Sequence, residues 1–119
     1  MNFYHNMGFV DGKLRGNGFE VALTDEEKDT LKAYYGKEII LGVRPEDITA
    51  DGTLQVQVTN NENLGMNTLV HGSLGDNCRI VAKLRGWAEY RNGDSVGMLF
   101  GRKHFFDKDT TNAIRKEGK

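Results

Sequence analysis

The stretch Leu54-Gln55-Val56-Gln57-Val58-Thr59 decides the fold class. Three apolar side chains alternate with three polar ones. That is the period of a strand with one dry face and one wet face. The pattern recurs in both directions. Asn67 to Leu74 and Cys78 to Arg85 read as strands separated by a turn at Gly75-Asp76-Asn77. Asn92-Gly93-Asp94 is another turn, and Ser95 to Arg102 carries Val96, Met98 and Phe100 on one face. Upstream, Asp51-Gly52 reads as a turn, and Glu38 to Val43, with its run Ile39-Ile40-Leu41, as a buried strand. Asn2 to Leu23 reads as two or three short strands around the turns Asp11-Gly12 and Gly16-Asn17-Gly18.

One helix is expected, over Thr24 to Tyr35. Thr24 is an N-cap and Glu27, three residues on, completes a capping box. Leu31, Tyr34 and Tyr35 supply the apolar face and Gly36 ends it. The tail turns polar from Asp107 and is expected to fray beyond Ile114. Short strands, glycine turns and no βαβ rhythm predict a mainly all-β domain, a small antiparallel barrel or sandwich with one short helix near 24–35.

The 119 residues fit one domain, 1–119. Fifteen glycines and one proline suit a fold rich in tight turns. The net charge of −1, with Lys and Arg spread along the chain, argues against a nucleic-acid partner, which needs clustered positive charge. The aromatics Trp87 and Tyr90, flanked by Lys83, Arg85 and Arg91, are the one place where bases could stack. Against that, the loop reads as a cover for one end of the barrel. Cys78 stands alone, so an intrachain disulfide is excluded and a partly buried thiol is expected. No apolar run approaches the length of a membrane span, and the start does not read as a signal peptide. A cytoplasmic location is expected.

No catalytic, cofactor or metal constellation is legible. Gly8 to Leu14 fails as a phosphate loop on spacing, and Leu14 stands where a Ser or Thr would hold magnesium. His5, His71, His104 and Cys78 have no metal-ligand spacing. His71 lies opposite the Thr68 and Val70 face and is expected at the surface.

In Leu41-Gly42-Val43-Arg44-Pro45-Glu46-Asp47-Ile48, a buried strand runs into a proline that ends its ladder and holds Arg44 extended. Arg44 and Glu46 flank this turn. They either pin it by an ion pair or present a polar corner to another chain.

The stretch Leu41 to Glu46 resembles the L-G-[IV]-R-P-E signature of the C-terminal regulatory domain, TOBE or OB-like, of sugar-importer ABC transporter ATP-binding subunits of the maltose, multiple-sugar and glycerol-phosphate types. Three further stretches agree in order. Met1-Asn2-Phe3 resembles the M-N-F opening of that domain. Glu62-Asn63-Leu64-Gly65-Met66-Asn67 resembles E-x-L-G-x-[ED], with Asn67 in place of an acid. His104-Phe105-Phe106-Asp107 resembles H-[LF]-F-D.

The resemblance implies an OB-like β-barrel that regulates transport and helps two ATPase subunits stay together. Its implied partners are a second copy of the subunit, its own N-terminal ATPase domain, the membrane permease subunits indirectly, and in some members a cytosolic regulator. It implies no cofactor in this fragment, since ATP and magnesium belong to the ATPase domain, and a peripheral position at the inner face of the membrane. Arg44, Pro45, Glu46, Glu62, Leu64 and Gly65 are the interface or regulatory residues carried over, with Gly65 at a tight turn or bulge. A small-ligand sensor for an oxyanion or sugar-related molecule is the alternative, and an OB-type nucleic-acid binder ranks below it.

Overall fold

The computed structural model describes residues 1–116. Among the described residues, nine strands form two antiparallel sheets. They are β1 (Asn2–Val10), β2 (Lys13–Gly16), β3 (Phe19–Ala22), β4 (Glu38–Val43), β5 (Ile48–Asn63), β6 (Asn67–Leu74), β7 (Cys78–Arg85), β8 (Ser95–Phe100) and β9 (His104–Asp107). The first sheet runs β3-β2-β1-β4-β9 and the second β7-β6-β5-β8. Their inner faces supply one core. Met7, Leu14, Ile39, Leu41 and Val43 come from the first sheet, and Ile48, Val56, Val58, Val70, Ile80 and Met98 from the second. The alternation in β5 is borne out: Leu54, Val56 and Val58 are buried while Gln55, Gln57 and Thr59 are exposed.

The hairpins at Asp11-Gly12 and Asn17-Gly18 turn where expected, with positive φ at both residues of each pair. The Asp51-Gly52 turn does not exist as read. Both residues lie inside the 16-residue β5. Opposite β8 the register passes from Thr49↔Leu99 to Leu54↔Met98, so Ala50 to Thr53 bulge out of the ladder. The Gly52 backbone folds flat on β8, so close that a side chain there would meet the Met98 carbonyl.

The helix is also shorter than expected. Helix α1 spans Asp25–Thr30, followed by a 3-10 turn at Lys32–Tyr34. The capping box is present: the Glu27 amide donates to Thr24 Oγ1 at 3.1 Å, and the Thr24 amide donates to the Glu27 carboxylate at 2.9 Å. No residue of α1 is buried, so no apolar face holds a longer regular helix against the sheets. Leu31, fully buried, anchors its end to the core. Tyr34 and Tyr35 leave the helical stripe for separate partners. The Tyr34 hydroxyl donates to Asp107 at 2.7 Å, and Tyr35 meets Phe9 edge-on at 5.4 Å.

The two seams between the sheets close differently. On one side, β1 runs beside β7 without a main-chain ladder, and side chains make the joint. Asn2 Nδ2 donates to the carbonyls of Val43 (3.1 Å) and Val81 (3.0 Å), while Asn2 Oδ1 accepts from the Val81 amide at 2.9 Å. Two residues on, the Tyr4 hydroxyl donates to the Arg79 carbonyl at 3.1 Å. Burial pushes the Tyr4 phenol well above its ordinary range, so it stays a neutral donor. On the other side, β3 and β8 remain unpaired edges across a groove of about 390 Å³.

Candidate functional site

Three of the four quoted motifs meet on the outer face of β1, β4 and β9. Phe3 pairs with Gly42, and Gly42 with His104. The Phe3 and Phe106 rings close over Gly42, edge-on with centroids 5.9 Å apart. A Cβ at position 42 would sit 2.7 Å from Met1 Sδ and 3.0 Å from the Phe106 ring. This close approach is the physical reason for a glycine between Leu41 and Val43, and sequence reasoning did not find it. Phe3 stays 54% exposed and Met1 46%, so the motifs leave an apolar face on the molecule.

Asp107, the last residue of the fourth motif, is a structural hub. Its carboxylate accepts from the amides of Thr110 (3.0 Å) and Asp109 (2.9 Å) and from the Tyr34 hydroxyl. The Thr110 amide is the main reason its carboxyl is held down at about 2, with the Tyr34 hydroxyl next. The same contact raises the Tyr34 phenol.

The Arg44-Pro45-Glu46 corner lies where the proline was expected to put it. Arg44 is extended (φ −78, ψ 146), and Pro45–Asp47 make one 3-10 turn that ends with Asp47 accepting from the Gly101 amide at 2.8 Å. Arg44 and Glu46 are both exposed. The ion pair that would pin the turn is not formed among the described residues. A turn of three residues per revolution sends residues two apart to different sides. What is left is a polar corner open to solvent.

Glu62, Leu64 and Gly65 sit apart from that corner, at the tip of the β5–β6 hairpin. Gly65 has φ +94, a conformation that a side chain disfavours, and its amide donates to Asn63 Oδ1 at 2.9 Å. Glu62 lies 3.5 Å from His71 Nε2. Leu64 (53% exposed), Met66 (84%) and Trp87 (63%) are exposed apolar side chains, and the Gly86 amide ties the Trp87 loop to Met66 at 2.8 Å. Trp87 therefore does not cover the barrel end as expected, although Tyr90 does pack against the core. No hydrogen bond or ion pair joins tip and corner among the described residues. Both adjoin β7: the corner packs against it, and the tip lies beside its last pair, Asn67↔Arg85.

Cys78 is a half-buried thiol, raised by burial and then by Asp76. Among the described residues no three His, Cys, Asp or Glu side chains group as a metal site. No helix there is long and apolar enough to cross a membrane. The tail is tied down further than expected. Ile114 donates to the Phe105 carbonyl at 2.8 Å, and Lys116 reaches Asp29 at 3.6 Å. The rest of the expected fraying, at 117–119, lies outside the described residues.

Residues 1–48 match the model of the MalK OB fold domain, and residues 41–106 match that of the TOBE domain. The chain is 31% identical to the multiple sugar-binding transport ATP-binding protein MsmK of Streptococcus mutans, over 97% of this chain and 34% of that protein. It is 32% identical to the trehalose/maltose import ATP-binding protein MalK of Thermococcus litoralis, over 96% of this chain and 34% of that protein. For the sn-glycerol-3-phosphate import ATP-binding protein UgpC of Cereibacter sphaeroides the identity is 30%, over 87% and 31%. The chain spans about a third of the length of these relatives.

Proposed function

Since the chain belongs to the TOBE domain family, with a MalK-type OB fold matched at residues 1–48, we propose that it is the C-terminal regulatory and dimerisation domain of an ABC transporter ATP-binding subunit for sugar import. The observation that carries this is the end-to-end likeness of nearly the whole chain to one third of several import ATP-binding proteins. ATP and magnesium would bind in the remaining two thirds, so this part is not itself the enzyme. It would work by contact, from a cytoplasmic position beside the membrane.

Two surfaces suit that role. The corner Arg44-Pro45-Glu46 is rigid, charged and unpaired among the described residues, so it offers recognition without a folding cost. The hairpin tip at Glu62, Leu64 and Gly65 offers apolar area, since Leu64 and Met66 are exposed beside Trp87. The partners would be a second copy of the subunit, the ATPase portion of the same polypeptide and a cytosolic regulator. Permease subunits would be engaged through the ATPase portion.

The test is made in the intact ATP-binding protein assembled with its permease. Glu46→Lys and Leu64→Asp are expected to leave thermal unfolding of the domain unchanged and to alter sugar-coupled ATP turnover or subunit association. Unchanged turnover and association in both variants would sink the contact reading.

A further inference from the structure

Between α1, β9 and the segment after it runs a groove of about 590 Å³, separate from the corner and the hairpin tip. Its charge is unbalanced. Arg102, Lys103, Arg115 and Lys116 line it against only Glu26 and Glu27, in a chain whose net charge is −1. Lys103 is spent: its side chain is 5% exposed and donates to both Glu27 oxygens and the Gly101 carbonyl. Lys116 leans on Glu26 and Asp29 at 4.0 and 3.6 Å. Arg102 and Arg115 are exposed and enter no ion pair or hydrogen bond among the described residues. The groove thus holds two uncommitted guanidinium groups and two committed ammonium groups.

His104 lines the same groove. Its Nε2 is shielded from water and has no hydrogen-bond partner among the described residues. Buried ring nitrogens are normally paired. The histidine's last side-chain torsion is broad, so a small rotation can turn a ring nitrogen toward the groove. Aromatic and aliphatic residues, Phe105, Phe106 and Ile114, form the remaining wall. The volume is that of a small-molecule site.

We infer that this groove binds a phosphate group, clamped by Arg102 and Arg115 with His104 as a further donor. A planar guanidinium fork takes oxygens two at a time, and a phosphate group has enough oxygens and charge to engage both arginines at once, where a carboxylate's two oxygens fill one fork. Thr30 edges the site, and Glu26 and Glu27 are held by Lys116 and Lys103, which leaves the two guanidinium groups unopposed. The phosphate could be the free ion or the head of a small ester. The inference stands apart from the transport reading, because it rests on the groove alone.

The experiment is a titration of the 119-residue chain followed by amide and histidine nitrogen resonances at fixed ionic strength. Inorganic phosphate, glycerol 3-phosphate, chloride and a short Asp/Glu-rich peptide are the four probes. Saturable shifts at Thr30, His104 and Ile114 with a phosphate probe, and none with chloride, are expected. Equal affinity for the two phosphate probes identifies the free ion as ligand, and tighter binding of the ester identifies a metabolite.

The Arg102→Ala/Arg115→Ala double variant should bind at least about tenfold more weakly, the loss expected from two charge-assisted contacts. Arg91→Ala, on the loop before β8, should bind like the parent. Linear shifts, equal response to chloride, an unmoved His104 ring or unchanged binding by the double variant would each overturn the inference. So would saturable binding of the acidic peptide alone.

Discussion

Replacing Asn2 by Leu keeps the size of the side chain and removes all its polar atoms. Three hydrogen bonds are lost: those to the Val43 and Val81 carbonyls and the one from the Val81 amide. At about 0.5–1.5 kcal/mol each, their net worth is about 1.5–4.5 kcal/mol. The Val81 groups are only half buried, so water recovers part of the loss on that side. The Val43 carbonyl bond is buried and is not rescued. The expected cost is therefore about 2–4 kcal/mol. For a domain of this size that lowers Tm by roughly 8–16 °C.

Urea unfolding followed by far-ultraviolet circular dichroism is the assay, since Trp87 is too exposed to report on the core. The slope of free energy against urea should not change. Asn2→Asp should be at least as damaging, because a carboxylate cannot donate to the two carbonyls it would face. Pairing Asn2→Leu with Tyr4→Phe tests the seam as a unit, since the two contacts lie on adjacent stretches of β7 and should couple. A loss below about 0.5 kcal/mol for Asn2→Leu would refute the view that side chains close this seam.

Leu41→Ala empties a fully buried core position and should cost about 2–5 kcal/mol, measured by the same unfolding curves. Gly42→Ala drives a methyl group against Met1 and the Phe106 ring and should cost about 1–3 kcal/mol, with the Phe3 and Phe106 ring resonances shifting together. Asp107→Asn should lower stability at neutral pH. Because the folded carboxyl is depressed to about 2 from the ordinary 3.8, its contribution is complete above pH 4 and is lost as pH falls toward 2. Parent and variant stabilities should converge over that window, and a gap that persists at pH 2 would count against the hub.

The strands were legible because one-sided burial writes itself as alternation. β5 carries that signal from Leu54 to Thr59, β6 alternates along its length, and β4 carries an apolar run. The Ala50 to Thr53 bulge was not legible, because an Asp-Gly pair signals a turn whether the chain reverses or merely steps out of a ladder. The helix was overextended for a related reason. Its cap is local and readable at Thr24 and Glu27, but its end depends on Tyr34 being drawn to Asp107, a partner 73 residues away. The candidate site divides the same way. The extended Arg44 and the tight turn at Gly65 follow from backbone rules. The role of Gly42 needs the meeting of Phe3 and Phe106 from two other strands, which no local pattern encodes. Likewise the unpaired state of Arg44 and Glu46 follows from a turn pitch that appears only in three dimensions.

Main-chain ladders and the side-chain seam between β1 and β7 place unequal demands for particular amino acids along the chain. A main-chain ladder is indifferent to which residue supplies the amide and the carbonyl, so β2 and β3 can change most of their outward side chains and keep their pairing. The β1–β7 joint has no such redundancy, because one carboxamide supplies both a donor and an acceptor to the same residue, Val81. A saturation scan of the gene should therefore show a tolerance profile at position 2 narrower than that of any buried leucine. Leucine can be exchanged for methionine or isoleucine, whereas even glutamine, one methylene longer, displaces both contacts at once.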